Sequence, residues 1–218
     1  MIDWKTIDTV LLDMDGTLLD LHFDNRFWLE HVPTHYARQY DMSLEQAKTE
    51  LYRRFEDRQG QLEWYCLDYW QAELKLDLLT MKRELAHLIS LRPGAEAFLA
   101  ALQRSSKRVV MITNAHQQSL SLKLEKASLG QYFDLMISSH QYGFAKEHPQ
   151  FWPALQADIG IDPKRCLFID DSLPVLRSGQ RWGIAELIAI SHPDSQGSAK
   201  NTEEFAAVND FTELLPIE

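Results

Sequence analysis

The sequence predicts an α/β fold: a parallel, Rossmann-like sheet covered by helices on both faces (three layers, α/β/α), interrupted by an inserted all-α segment. Three observations carry this. The run Val10-Leu11-Leu12 is apolar without alternation and ends abruptly in Asp13-Met14-Asp15-Gly16-Thr17, as a strand buried on both faces does. From residue 94 onward, short Val/Ile/Leu-rich runs alternate with helical patterns, which implies a parallel sheet with right-handed crossovers. Between residues 20 and 91 the pattern is helical throughout, with no strong strand signal.

Taken in order, residues 8–13 form the first strand. The insert then holds helices over residues 25–40, 44–57, 62–74 and 81–90. Ser43 and Gln46 make a capping-box pattern at the start of the second. Phe27, Trp28, Tyr36, Tyr52, Phe55, Trp64, Tyr65, Tyr69 and Trp70 supply its packing, and Arg92-Pro93-Gly94 punctuates its end. Beyond it come a helix at 95–104, a strand at 108–112 ending at Thr113-Asn114, a helix at 117–128 and a strand at 134–138. A loop then runs through Tyr142, Gly143 and Lys146. A helix at 149–159 precedes a strand at 166–169, which runs into Asp170-Asp171-Ser172. A helix at 173–181, a strand at 184–190 and a short helix at 210–215 complete the chain. The Pro/Ser/Gly-containing stretch 192–201 is expected to be the most mobile loop.

The whole chain narrows the function classes. Its 218 residues suffice for one large domain, or for one domain carrying an insert. A formal charge of −10 argues against general affinity for nucleic acid or acidic membranes. Cys66 and Cys166 are far apart and lack metal-ligand spacing, which fits a reduced, cytoplasmic setting. The N-terminus lacks a signal pattern and no apolar run approaches membrane-spanning length. A monomer or homodimer is expected.

The polar residues fall into one pattern. Asp13, Thr113 and Asp170 each follow an apolar strand, and Lys146 lies in the loop beyond another. Ligand sites of open α/β sheets form at the carboxyl ends of strands, where strand order reverses. Four carboxylates (Asp13, Asp15, Asp170, Asp171), one hydroxyl and one ammonium make a site for a hard cation and a phosphoryl group. Mg2+ takes a few oxygen ligands together with water and substrate phosphate. It offsets carboxylate repulsion and lets a phosphate dianion approach a carboxylate. Lys146 would neutralise charge on both, and Thr113 with nearby backbone N–H groups would donate to phosphoryl oxygens.

Asp13-x-Asp15-Gly16-Thr17, Thr113-Asn114, Lys146 and Asp170-Asp171-Ser172 together resemble the four motifs of the haloacid dehalogenase-like (HAD) hydrolase superfamily. Around Lys146 the chain reads Lys-Glu-His-Pro-Gln-Phe, so Glu147 stands where the family pattern has a proline. The resemblance implies a core over residues 1–19 and 92–218, with residues 20–91 as a helical cap. It implies that Asp13 is the nucleophile forming an aspartyl-phosphate and Asp15 the general acid and base. The metal would then be held by the Asp13 carboxylate, the Asp15 carbonyl, Asp171 and Asp170, and the phosphate by Thr113, Asn114 and Lys146. The second aspartate of the first motif goes with phosphatases and phosphomutases of the superfamily, so Asp15 favours phosphate-ester hydrolysis.

A longer resemblance extends through Asp20-Leu21-x-Phe23-Asp24-Asn25, residues 64–70, Thr113-Asn114-Ala115-His116 and Phe168-Ile169-Asp170-Asp171-Ser172. These resemble bacterial 5′-nucleotidases of the superfamily that act on GMP and IMP, implying a nucleoside monophosphate substrate. His22, Asp24, Asn25, His116 and Trp64 are the candidates for substrate specificity, with an aromatic ring available to stack on a base. Arg53, Arg54 and Arg58 read as a solvated helix face. The alternatives are a sugar-phosphate phosphatase, a phosphomutase of the β-phosphoglucomutase kind, or a non-catalytic binding module. The last predicts loss of an essential group, and all six are present. A nucleic-acid phosphatase conflicts with the acidic balance.

Overall fold

The computed structural model describes residues 2–217. The strands are β1 (Thr9–Leu12), β2 (Arg108–Thr113), β3 (Leu135–Ser138), β4 (Cys166–Asp170), β5 (Glu186–Ile190) and β6 (Ala207–Val208). They form one parallel sheet in the order β3-β2-β1-β4-β5-β6. The chain leaves β1 in one direction through β2 and β3, then resumes on the other side at β4. Strand order therefore reverses at β1 and β4, which lie side by side with Leu12 opposite Ile169.

The continuous apolar runs divide between two cores because successive side chains point to opposite faces. Val10, Leu12, Val109, Met111, Leu167 and Ile169 pack on one face with Phe98, Leu99, Leu120 and Phe211. Leu11, Val110, Ile112 and Phe168 pack on the other with Phe151, Trp152, Val175 and Leu176.

Between β1 and the second strand, residues 22–88 carry only helices. These are α1 (His22–Arg26), a π-helical turn (Phe27–His31), α2 (Val32–Gln39), α3 (Leu44–Glu56), α4 (Leu62–Tyr65), α5 (Leu67–Leu74) and α6 (Leu78–Glu84). A 3-10 turn (Ala86–Leu88) closes the series. This insert has its own core, built on Phe27, Val32, Leu51, Leu67, Trp70, Leu74 and Leu78. Its two connections to the sheet run side by side: Asp20 N–H donates to Ser90 O (2.9 Å) and Arg92 N–H to Leu18 O (2.9 Å). After it come α7 (Ala95–Gln103), α8 (Gln117–Ala127), α9 (Phe151–Ile159) and α10 (Leu173–Trp182), which cover the sheet.

The structure corrects several boundaries. The expected helix over 62–74 is two, because Cys66 is extended (φ −84°, ψ 111°) and its Sγ caps α5 by accepting from Tyr69 N–H at 3.4 Å. Residues 25–40 begin earlier, at His22, and contain the π turn. Pro33 has no N–H to give the Leu29 carbonyl, and the Tyr52 hydroxyl donates to that carbonyl instead (2.9 Å). The helix expected at 81–90 starts at Leu78, where Asp77 caps it through Thr80 N–H (3.1 Å). The final helix is a 3-10 turn (Phe211–Leu214). Strand β6 was not expected; at two residues it carries no readable pattern. The capping box at Ser43 and Gln46 is present.

Candidate active site

The turn after β1 sets the first carboxylates. Leu18 N–H donates to Met14 O (3.0 Å) and Gly16 N–H to Leu19 O (2.8 Å), so the chain reverses tightly around Gly16 at φ +82°. A Cβ on Gly16 would sit 2.7 Å from the carboxyl carbon of Asp171. Glycine is thus required both by the backbone and by the neighbouring carboxylate. The turn leaves Asp13 at the carboxyl end of β1, facing Asp170 at the end of β4.

Lys146 joins them. Its ammonium, 2% exposed, donates to Asp13 Oδ1 (2.6 Å), Asp170 Oδ2 (2.7 Å) and Ile112 O (3.1 Å). Burial alone would lower the Lys146 pKa, but the two carboxylates outweigh burial and raise it. Burial raises Asp170 well above the usual carboxylate range against the pull of Lys146, with Asp13 and Asp171 adding to the rise. Burial also raises Asp171, opposed by Lys200, whose ammonium lies 2.8 Å from Asp171 Oδ2. Carboxyl oxygens of Asp13, Asp170 and Asp171 all lie within 4.8 Å of one another. Such a cluster of hard oxygen donors, held close together with little water around them, fits a divalent cation of the Mg2+ type.

The Asp15 carboxylate is not part of this cluster. Among the described residues its Oδ1 has no well-aligned hydrogen-bond donor, and the ammonium of Lys123 on α8 supplies an ion pair at 2.6 Å. Burial raises Asp15 to about 7, Lys123 opposing it and Asp24 and Asp13 reinforcing it. Lys123 also reaches Asp24 Oδ2 (2.6 Å), and Lys82 reaches Asp24 Oδ1 (3.0 Å). Burial would raise Asp24, yet Lys123 and Lys82 together hold it down at about 2.

The other candidates divide. Thr113 ends β2, and its Oγ1 accepts from Ala115 N–H (3.0 Å). The Asn114 side chain is committed to the loop of Lys146. Its Oδ1 accepts from Lys146 N–H (2.9 Å), and its Nδ2 donates to Glu147 Oε2 (3.0 Å). A cleft of about 1340 Å³ between sheet and insert is lined by Asp13, Asp15, Asp24, Asn25, Trp64 and His116, among others. His22 is not among its walls; it lies 3.3 Å from Asp194, which also accepts from Asn25 Nδ2 (2.6 Å). His116 pairs with Asp68 of α5 at 3.4 Å. Arg53, Arg54 and Arg58 bind Asp57, Glu50 and Tyr69 of the insert. The stretch 192–201 is a loop tied back by Lys200 N–H to Ser191 O (2.7 Å) and by Ser195 N–H to Asp20 Oδ1 (3.1 Å).

Sequence reasoning missed Lys82, Lys123, Lys200 and Tyr65. The lysines carried no spacing signal. Glu147 was visible as a departure from the expected proline, but its bond to the Tyr65 hydroxyl was not.

Residues 7–183 match the haloacid dehalogenase-like hydrolase family. The chain belongs to this family. It is 39% identical over 215 residues to the GMP/IMP nucleotidase YrfG of Escherichia coli (strain K12), covering 99% of this chain and 97% of that one. It is 22% identical over 207 residues to a phosphorylated carbohydrates phosphatase of Thermotoga maritima, covering 88% and 89%. The crystal structure of a HAD phosphatase from Thermococcus onnurineus superimposes with a TM-score of 0.79 at 19% identity, over 95% and 96% of the two chains. The parallel sheet with its helical layers is thus the HAD fold, and the chain is a hydrolase of that family. Among the described residues no helix is long and apolar enough to cross a membrane.

Proposed function

We propose that this chain is a Mg2+-dependent phosphomonoesterase, a 5′-nucleotidase that dephosphorylates purine 5′-monophosphates such as GMP and IMP in the cytoplasm. The observation that carries the chemistry is Lys146, whose single buried ammonium bonds Asp13 and Asp170 at once. The near full-length similarity to a GMP/IMP nucleotidase supports the substrate.

In this reading residues 1–19 and 92–218 are the catalytic core and residues 20–91 a cap over the cleft. Asp13 attacks phosphorus and takes the phosphoryl group as an aspartyl-phosphate, splitting one slow displacement into two easier ones. Asp15 protonates the departing 5′-oxygen. It then takes a proton from the water that hydrolyses the aspartyl-phosphate. Burial holds Asp15 at about 7, so both protonation states are accessible near neutrality. Lys146 keeps Asp13 oriented and neutralises charge on the phosphoryl oxygens, with the Thr113 hydroxyl donating to one of them. Asp13, the Asp15 carbonyl, Asp170 and Asp171 would hold Mg2+, which supplies charge neutralisation for the carboxylates and the phosphate.

The test is phosphate release from a panel of 5′-nucleotides and sugar phosphates, with and without Mg2+, using Asp13→Asn as the blank. Release from GMP and IMP that needs both Mg2+ and Asp13 supports the proposal. Release from sugar phosphates alone keeps the mechanism and discards the nucleotide substrate.

A further inference from the structure

Four side chains, two buried lysines and two half-buried aspartates, form a ladder of alternating charge running from the catalytic turn into the cap. Asp15 lies at one end. Lys123 follows, 2.6 Å from Asp15 Oδ1 and 2.6 Å from Asp24 Oδ2. Lys82 ends the ladder, 3.0 Å from Asp24 Oδ1. Lys82 and Lys123 are each 2% exposed. The centre of the Phe23 ring lies 4.9 Å from the Lys82 ammonium and 5.3 Å from that of Lys123. Asp15 and Lys123 belong to the core; Asp24 and Lys82 belong to the cap, on α1 and α6.

Removing four charges from water is unfavourable, and an apolar seam of the same volume is often as stable or more so. The ladder is therefore a costly way merely to glue cap to core. What it does that an apolar seam cannot is fix a carboxylate. Among the described residues Asp15 Oδ1 has no hydrogen-bond partner, and the Lys123 ammonium is the cation paired with it. Lys123 is in turn centred by Asp24, whose other oxygen is held by Lys82.

We infer that Lys123 is the positioning residue for the Asp15 carboxylate, and that Asp24 holds Lys123 in place only while the cap is seated on the core. Asp24, a specificity candidate from the sequence, then acts through two lysines rather than on the substrate. The proton-transfer group is assembled by closure, and the open enzyme has a looser Asp15. The inference rests on the phosphatase reading above.

The experiment compares kcat/KM for GMP with that for para-nitrophenyl phosphate in the wild type, Lys123→Met and Asp24→Asn. This ratio reports events up to formation of the aspartyl-phosphate. The nucleoside 5′-oxygen needs a proton to leave, whereas the nitrophenolate leaves unaided. General acid catalysis contributes about 10²-fold or more. Lys123→Met is therefore expected to lower kcat/KM for GMP by about a hundredfold, and that for the aryl ester by much less. Asp24→Asn is expected to shift the ratio the same way by a smaller factor. Thermal unfolding monitored by circular dichroism checks each variant, and Asp24→Asn carries the test should Lys123→Met not fold. Equal losses on both substrates, or no loss, overturn the inference while leaving the phosphatase reading intact. A wild type that hydrolyses neither ester overturns the reading itself and the inference with it.

Discussion

The hydroxyl of Tyr65, on the insert, donates a hydrogen bond to the carboxylate of Glu147, the residue directly after Lys146. The other Glu147 oxygen accepts from Asn114, which also accepts from the Lys146 N–H. A chain of bonds thus runs from the insert to the loop that presents the buried ammonium. Burial and the Glu147 carboxylate both raise the Tyr65 pKa well above its ordinary value, so the phenol stays a donor through neutral pH. A hydrogen bond to a charged group is worth about 1.5–3 kcal/mol. Tyr65→Phe should therefore raise KM about tenfold with kcat little changed, as read by steady-state kinetics. An unchanged KM would mean that this contact does not help hold the closed form.

The acidic cluster predicts a pH-dependent response to metal. Asp15 is raised to about 7, and Asp170 and Asp171 are raised as well, by burial and mutual repulsion. A raised carboxylate binds its proton more tightly in the folded chain. Its contribution is complete below the ordinary carboxylate range and is lost as pH rises through the folded value. Without metal, Tm should fall from about pH 5 to about pH 8. Mg2+ favours the ionised carboxylates, so its stabilising effect should grow over the same window. At about a hundred times Kd it contributes about 2.7 kcal/mol, or roughly 5–10 °C for a chain of this size. Differential scanning fluorimetry at the two pH values reads this. An equal shift at both, or none, would contradict a carboxylate-held cation.

Gly16 offers a separate test of the turn. Its φ of +82° disfavours any side chain, and a Cβ would meet the Asp171 carboxylate at 2.7–3.0 Å. Backbone strain alone costs about 1–2 kcal/mol, and the clash moves Asp171 as well. Gly16→Ala should lower Tm by several degrees and weaken Mg2+ binding at least about tenfold by titration calorimetry. Retained Mg2+ affinity would show that Asp171 is not needed for the metal.

Much of the core was readable because its signals are local. β1, β2 and β4 are apolar runs stopped by Asp13, Thr113 and Asp170, and a buried parallel strand has few other ways to end at a polar site. The insert was readable as helical but not in its breaks, because Cys66 as a helix cap has no distinctive residue pattern. Lys123 and Lys82 were not readable at all. Each sits in a helix among other polar residues, and its partners are distant in sequence: Asp24, 99 and 58 residues away, and for Lys123 also Asp15. Lys200 reaches Asp171 from a loop whose composition reads as mobile.

The central claim is that Asp13 carries the phosphoryl group. The direct measurement is to quench the enzyme during turnover of GMP with Mg2+, reduce with borohydride, and sequence the chain by mass spectrometry. Borohydride converts an acyl phosphate to an alcohol, so homoserine is expected at position 13, absent without substrate and absent in Asp13→Asn. Reduction at another carboxylate, or turnover of GMP with no reducible acyl phosphate at position 13, would contradict it.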